Sequence, residues 1–416
     1  MNPVVGNPMK MQSGRPPATP DADLAELRLK RREERRLVAG HLWVFSNEVD
    51  SAKTPLPGFE PGGFARVTRH DGQFLGYASV SPHALICARI LSRDARFPPG
   101  KAFLIHRIQV ALALRERLYG RPYYRLVYGE SDGLPGLVLD RFDDVIVGQT
   151  GTASMEAMQG DVQAALESLL RPRAIVWKND TGARDLEGLS KYTETVVGKA
   201  VERVAVEENG VCFEVPVGGG QKTGWFYDQA KNRAAFLKYV PGASVLDVFS
   251  YLGAWGLSAA RAGAGEVTCV DSSARALEAL RISADKNALA VEGLQGDAFD
   301  TLESLRARGA KFDVVVIDPP AFIKRRRDAA KGEAAYRKLN RLSMQLLPRD
   351  GILVSCSCSH HLAESDLVNA IQRSARHLGR FAQIVEIGGQ APDHPIHPAM
   401  PETRYLKAIF CRIVKD

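Results

Sequence analysis

The sequence predicts an α/β fold with a mostly parallel sheet, preceded by a β-barrel-like module and a small α+β unit, and two observations carry that expectation. After Val215, near-continuous apolar strands alternate with helical segments. A parallel sheet covered by helices on both faces gives that pattern, because its strands are buried on both sides. Before Val215, short β-like runs are separated by turn formers, which describes smaller units. The 416 residues accommodate three such units at ~100–200 residues per domain.

Composition bounds the class. Hydrophobic residues make up 45% and charged residues 25%, a globular mixture rather than a disordered one. The 55 Lys+Arg against 48 Asp+Glu leave a formal charge of +7, which admits a polyanionic partner without establishing one. No apolar run approaches the ~20 residues that span a bilayer, and Gly6, Pro8 and Lys10 interrupt any signal-peptide core. A cytoplasmic, membrane-free protein is expected. Cys87, Cys212, Cys269, Cys356, Cys358 and Cys411 are scattered except for one C-x-C pair. Reduced thiols are expected, and the absence of a C-x-x-C pair argues against a metal site.

Along the chain, residues 1–23 read as a flexible tail. The stretch 24–36 holds Arg28, Lys30, Arg31, Arg32, Arg35 and Arg36 against Glu33 and Glu34, and by itself reads as a solvated face. Residues 24–96 form the β-rich module. Its strands are Trp43–Phe45, Gly63–Val67, Gln73–Tyr77 and Ala84–Ile90, with turns at Pro55–Gly58 and His70–Gly72. Residues 97–205 form the α+β unit. It opens on a helix over 98–119 with Leu104, Ile105, Ile108, Val110, Ala111, Leu112 and Leu118 on a broad apolar stripe. Strands follow at Tyr124–Gly129, Gly136–Asp140, Val145–Gln149 and Ala174–Trp177, with a helix over 153–170. Residues 206–416 form the third domain, with strands at Val245–Phe249, Glu266–Asp271, Phe312–Asp318 and Gly351–Cys356.

The sharpest local signal is Val245-Leu246-Asp247-Val248-Phe249-Ser250-Tyr251-Leu252-Gly253-Ala254-Trp255-Gly256. A buried strand ends near an acid, then come a turn, two glycines three apart, and a helix. Glycines allow close backbone approach, and a helix start offers free N–H groups. The next strand ends at Asp271, where an acid grips ribose hydroxyls, and Gly296-Asp297-Ala298 supplies a third acid toward an adenine edge. The dinucleotide pattern G-x-G-x-x-G is absent, so a nucleoside without phosphates fits better, and S-adenosylmethionine is such a ligand. An ordinary strand–helix turn would look similar; three acids at successive strand ends favour the cofactor.

The fourth strand leads into Asp318-Pro319-Pro320-Ala321-Phe322. Two prolines stiffen this strand end, so that Asp318 or its neighbouring carbonyls can be held at a planar ligand. Base-modifying class I methyltransferases place a similar segment here. In those that methylate amino groups the residue after the prolines is usually aromatic, whereas here it is Ala321. The fifth strand ends in Ser355-Cys356-Ser357-Cys358-Ser359-His360-His361. Carbon methylation of a pyrimidine needs a nucleophile: a thiolate adding to C6 makes C5 enamine-like and able to take a methyl group. Cys356 and Cys358 share a strand face. Cys358 lies further out and is the candidate, with Cys356 in reserve. Two structural cysteines, or a metal pair with His360 and His361, are the alternatives.

Together these residues resemble the RlmI-like family of 23S ribosomal RNA cytosine-C5 methyltransferases, over nearly everything after residue 24. Gly40-His41-Leu42-Trp43-Val44-Phe45-Ser46 is similar to the family's RNA-binding PUA domain. Glu130–Gly136 with Asp140-Arg141-Phe142 is similar to its central domain. Gln221-Lys222-Thr223-Gly224-Trp225-Phe226-Tyr227-Asp228-Gln229 looks like the signature before its first sheet strand. Ser357-Cys358-Ser359 matches the segment that carries the family's nucleophile, and Ala391-Pro392-Asp393-His394-Pro395 looks like a late segment near the active site. The family often has Lys where this chain has Ala321, and many members lack Cys356, His360 and His361.

The resemblance implies a Rossmann-like class I methyltransferase domain with a mostly parallel seven-stranded sheet, and S-adenosylmethionine as cofactor. The implied cofactor residues are Asp247, Phe249, Ser250, Gly253, Asp271, Ser272, Asp297, Ala298 and Asp318, with Lys222, Thr223 and Gly224. It implies Cys358 and Asp318 as catalytic residues and large-subunit ribosomal RNA as partner; a homodimer is compatible with it. Pro319, Pro320, Phe322, Lys324, Arg325 and Arg326 are the RNA-contact candidates, the basic ones through phosphates. Arg327, Lys331, Arg337, Lys338 and Arg341 extend that run. Asp393 and His394 read as catalytic helpers or as a His-Pro turn. Amino-group methylation of a purine and a non-catalytic RNA-binding role stand as the competing functions.

Overall fold

The computed structural model describes residues 24–217 and 223–415, and all counts below refer to them. The tail 1–23, Gln221 and Lys222 lie outside the described residues.

The N-terminal module is a five-stranded sheet in the order Glu26–Arg28, Phe64–Thr68, Phe74–Val80, Ile86–Ser92, Trp43–Phe45. Alternating residues of these strands (Leu27, Val44, Ala65, Val67, Ala78 and Val80) fill one core, as the two-residue side-chain period requires. The stretch 24–36 is not simply a solvated face. Glu26–Arg28 is a strand parallel to Phe64–Thr68. Arg28 pairs with Glu26 at 2.9 Å and Arg36 with Glu48 at 2.6 Å. Leu27 supplies the reason, since its burial pulls the chain into the sheet.

The central unit is a five-stranded sheet in the order Tyr192–Val197, Ala174–Asn179, Val145–Thr150, Leu137–Phe142, Tyr123–Tyr128. The helices Lys101–Leu118 and Gln159–Leu170 share a core with one face of it. Two expectations need correction. The first helix buries Leu104, Ile108, Ala111 and Arg115, whereas Val110 is 52% and Leu118 46% exposed. At 3.6 residues per turn the buried four fall on one face and Val110 lies away from it, while Leu118 is the last residue of the helix. The single helix over 153–170 is two, Ala153–Ala157 and Gln159–Leu170, separated at Met158.

Strands Arg203–Glu208 and Val211–Pro216 form a hairpin that the sequence pattern did not predict. Its first strand, Arg203–Glu208, runs across the boundary expected between residues 205 and 206. Its apolar side joins Phe142, Val145 and Val147 to Leu252, Leu257, Ala276 and Ala279 in one cluster, so it ties the central sheet to the third domain.

The third domain is a seven-stranded sheet in the order Glu292–Gln295, Glu266–Asp271, Ser244–Val248, Val314–Ile317, Asp350–Ser357, Lys407–Lys415, Arg380–Gly388. Lys407–Lys415 runs antiparallel to both neighbours, and the strands from Glu292 to Ser357 are mutually parallel. The four strands expected from the sequence are present; Arg380–Gly388 and Lys407–Lys415 were not anticipated. Helices cover both faces, and two apolar clusters, one on each side, contain alternate residues of the central strands. No described helix is long and apolar enough to cross a membrane.

Candidate active site

Register assembles the site. Val248 lies beside Val270 and Ile317, and Ile317 beside Ser355. The segments that follow these strands therefore meet at the carboxyl edge of the sheet, where open α/β sheets bind ligands.

The loop after Val248 is strained. Phe249 (φ 65°) and Tyr251 (φ 50°) are left-handed without being glycine, at a cost of roughly 1–3 kcal/mol each. Three hydrogen bonds hold it: Ser250 N–H to the Val270 carbonyl at 2.9 Å, Tyr251 N–H to Asp271 Oδ2 at 2.8 Å, and Gly256 N–H to Asp247 Oδ2 at 2.9 Å. Gly256 permits the helix Ala254–Arg261 to lie against its strand, because a Cβ there would sit 2.3 Å from Cys269 Sγ.

The three acids play different parts. Asp247 is fully buried beneath the loop. Burial, reinforced by the charges of Asp318 and Asp271, pushes its carboxyl up to about 8 against the Gly256 N–H. Asp271 is half-buried and spans two backbone donors, Tyr251 N–H and Ser273 N–H, both at 2.8 Å, with Ser272 exposed beside it. Asp297 is exposed and caps the helix Ala298–Ala307, accepting from Phe299 N–H at 2.8 Å, while Ala298 is buried in the core.

These residues fit S-adenosylmethionine. Among the described residues, Asp247 Oδ1, Ser250 Oγ and Thr223 Oγ1 are buried and find no hydrogen-bond partner, and an orphaned buried polar atom costs about 1–3 kcal/mol until a ligand meets it. A cationic ligand here would relieve the repulsion that Asp318 and Asp271 exert on Asp247. Gly224, at φ 117°, is buried in the segment before the first strand of this sheet, and its carbonyl accepts from Tyr251 Oη at 3.2 Å.

Beside this loop stands Asp318. Trp255 Nε1 donates to its Oδ2 at 3.1 Å and Gln229 Nε2 to its Oδ1 at 2.9 Å. Burial nevertheless raises its carboxyl to about 6, with Asp228 adding to the shift. Pro319 is buried and Pro320 exposed. Cys358 Sγ approaches the Pro319 carbonyl at 3.8 Å. Cys358 is half-buried just past the end of its strand, whereas Cys356 is wholly buried in the layer below and its thiol is pushed far up by burial. The serines flanking Cys358 are fixed. Ser357 Oγ donates to Tyr336 Oη at 2.8 Å, Tyr336 Oη and Ser359 Oγ are 3.0 Å apart, and Ile323 N–H donates to Ser359 Oγ at 3.2 Å.

Other candidates fall elsewhere. Phe322 is half-buried and packs on Tyr336 (ring centroids 4.9 Å apart), Phe249 and Phe299, so it is a wall of the loop rather than a free contact. Lys324, Arg325, Arg326 and Arg327 are exposed without an ion pair among the described residues; Lys338 pairs with Glu303 at 3.0 Å. Asp393 and His394 are buried in a seam. Asp393 bonds His394 Nδ1 at 2.9 Å and Arg125 N–H at 2.8 Å, and its carbonyl accepts from Arg115 at 2.6 Å. They join the third domain to the central unit. Gln229, Trp255, Tyr336 and Lys407 escaped sequence reasoning; Gln229 and Trp255 at least lie inside motifs singled out there.

Fold and site together define an S-adenosylmethionine-dependent methyltransferase preceded by a PUA-like domain, and comparison with known proteins agrees. Residues 182–411 match the family described as S-adenosylmethionine-dependent methyltransferase, and residues 27–93 match a PUA-like domain. More particularly, the chain belongs to the family of proteins named ribosomal RNA large subunit methyltransferase I. It is 38% identical to the Shewanella denitrificans protein of that name over 400 residues, which cover 93% of this chain and 99% of that one. It is 35% identical to the Photobacterium profundum protein over 387 residues, covering 91% and 97%. A protein from Streptococcus mutans whose solved structure is described as that of a SAM-dependent methyltransferase shares the fold (TM-score 0.79, 19% identity, 94% of this chain and 100% of that one). So does a methyltransferase solved in complex with SAH (TM-score 0.80, 20% identity, 94% and 100%). S-adenosylmethionine is the cofactor.

Proposed function

We propose that this protein methylates C5 of a cytosine in large-subunit ribosomal RNA, with Cys358 as the nucleophile. The supporting observation is that Cys358 is the half-exposed thiol at the sheet edge that also carries Asp318, its Sγ 3.8 Å from the Pro319 carbonyl. The relatives' name points to the RNA.

Bound at the loop, the cofactor supplies an electrophilic methyl group. The Cys358 thiolate adds to C6 and its electron pair passes through C5, which is thereby able to take the methyl; the C5 proton then leaves to a base, and the S–C6 bond breaks to restore the C5–C6 double bond. Asp318, held by Trp255 and Gln229, orients the pyrimidine through its exocyclic amine and N3. A carboxyl with its midpoint raised to about 6 can hold or share a proton there near neutral pH. Asp271 and Asp297 hold the ribose and adenine ends of the cofactor, and Asp247 shapes the loop. A duplex hides the C5–C6 edge, so the base is extruded from its stack. The exposed Lys324–Arg327 run and the exposed Arg31, Arg32 and Arg35 of the N-terminal module contact phosphates.

Nucleoside mass spectrometry of ribosomal RNA from cells expressing Cys358→Ala as the only copy is the test. Loss of 5-methylcytosine at one position is expected, and undiminished modification would sink the assignment. Activity surviving in a Cys356/Cys358 double variant would point to amino-group methylation instead.

A further inference from the structure

The antiparallel strand Lys407–Lys415 brings a cation to the turn that follows the candidate nucleophile. Its register sets Lys407 opposite Ser357, one residue before Cys358. Lys407 is 7% exposed, and its Nζ donates to the carbonyls of Ser359 at 2.7 Å and Leu362 at 2.8 Å. Both acceptors belong to the turn that follows Cys358. No carboxylate forms an ion pair with Lys407 among the described residues. A buried ammonium is expensive to desolvate, and two carbonyl dipoles offset only part of that cost.

We propose that Lys407 is a positioning residue for Cys358: it clamps the 359–362 turn from below while its ammonium stabilises the Cys358 thiolate. The proposal rests on the reading of Cys358 as nucleophile. A thiolate beside a lysine ammonium is favoured over the thiol. Ser357, Ser359 and Tyr336 hold the same segment through hydroxyls, so the chain on both sides of Cys358 is fixed. Burial lowers the Lys407 ammonium to about 8, while Cys358 acts in the opposite direction. Of the charged groups around it, Arg404 opposes its protonation and Glu364 supports it. His360, on the clamped turn, is itself lowered by burial, with His361 and Lys407 adding to that shift and Glu402 opposing it. On the helix Ala329–Leu346 the Tyr336 hydroxyl is raised by burial, with Cys358 adding to that shift.

The test reads the thiol rather than turnover. Alkylation of Cys358 in the full-length protein by iodoacetamide is followed against pH, with the modified peptide quantified by mass spectrometry. In Lys407→Met the midpoint should rise by about one pH unit, with a roughly tenfold slower reaction at pH 7, and Lys407→Arg should retain the native midpoint. An unshifted midpoint in Lys407→Met overturns the proposal. If that variant fails to fold, the reciprocal measurement decides. Cys358→Ser should lower the Lys407 midpoint, read by NMR of ¹³Cε-labelled lysine, because coupling between two sites is mutual; no change overturns the proposal. Neither readout needs methylation, so failure of the cytosine-C5 reading would leave this result standing, and the reverse.

Discussion

At the residue scale, three carboxyls within one site differ in burial, and burial sets what each can do. Asp247 is wholly enclosed and Asp271 half-buried, while Asp297 is exposed as a helix cap. Raising Asp247 from 3.8 to about 8 has a thermodynamic consequence. Between those values the folded state holds a proton that the unfolded chain has released, so this residue makes stability fall as pH rises through that window. Asn at this position can still accept the Gly256 N–H. Asp247→Asn should therefore flatten the decline in melting temperature of the cofactor-free protein between pH 5 and 8. A decline as steep as in the native protein would show that Asp247 is ionised in the fold. The acids were legible in the sequence because each ends a strand; that one of them lies beneath the loop was not, because burial depends on the helix that Gly256 lets pack close.

At the scale of elements, the strand–loop–helix unit around Asp247 was visible as a pattern of apolar run, glycines and helix. Its strain was not, since nothing in Phe249 or Tyr251 announces a left-handed backbone. The basic segment 324–327 shows the opposite case. Its charges were plain in the sequence, and the fold adds that all four are exposed and follow closely on the Pro-Pro segment. Replacing Arg325 and Arg326 by Gln should weaken RNA binding uniformly across sequences, and should lower the slope of log affinity against log salt by about 1 for each phosphate no longer neutralised. Filter binding at several salt concentrations would measure this; an unchanged slope would remove the segment from the RNA path. The hairpin Arg203–Pro216 and the strand Arg380–Gly388 were missed for another reason. Arg203–Glu208 and Arg380–Gly388 are half or more exposed, and polar residues break up their apolar ones, so neither carries a continuous apolar run.

For the whole molecule, the buried polar seam decides how three modules become one body. Arg115 pairs with Asp132 at 2.6 Å and Arg125 with Asp140 at 2.5 Å, and both arginines meet Asp393 from the third domain. Tyr405 bonds Asp228 across the same region. On the N-terminal side, Trp43 Nε1 donates to Glu130 at 2.9 Å, Arg89 pairs with Glu187 at 3.1 Å, and Leu42 N–H meets Met400 Sδ at 3.4 Å. Removing the Asp393 carboxylate leaves the buried Arg125 N–H and His394 Nδ1 without their acceptor. Asp393→Ala should cost about 1–3 kcal/mol for each of these groups, seen in urea unfolding as a lower midpoint or as a separate early transition of the N-terminal half. A loss below about 1 kcal/mol, the range of exposed pairs, would show that the seam is not structural. Asp393 and His394 belong to this seam, which favours the structural reading of the pair over the catalytic one.

The sequence alone determined the α/β class, the glycine-bearing strand–loop–helix unit, the row of acids at its strand ends and the cysteine at the edge of the fifth strand. All of these depend on local period, turn chemistry and position along a strand, which survive in one dimension. Only the tertiary structure decided which acid is buried, which cysteine is accessible, that Gln229 and Trp255 hold Asp318, and that Lys407 holds the turn after Cys358. Those facts depend on register between strands far apart in the chain: a lysine forty-nine positions after a cysteine becomes its neighbour only because an antiparallel strand returns beside it.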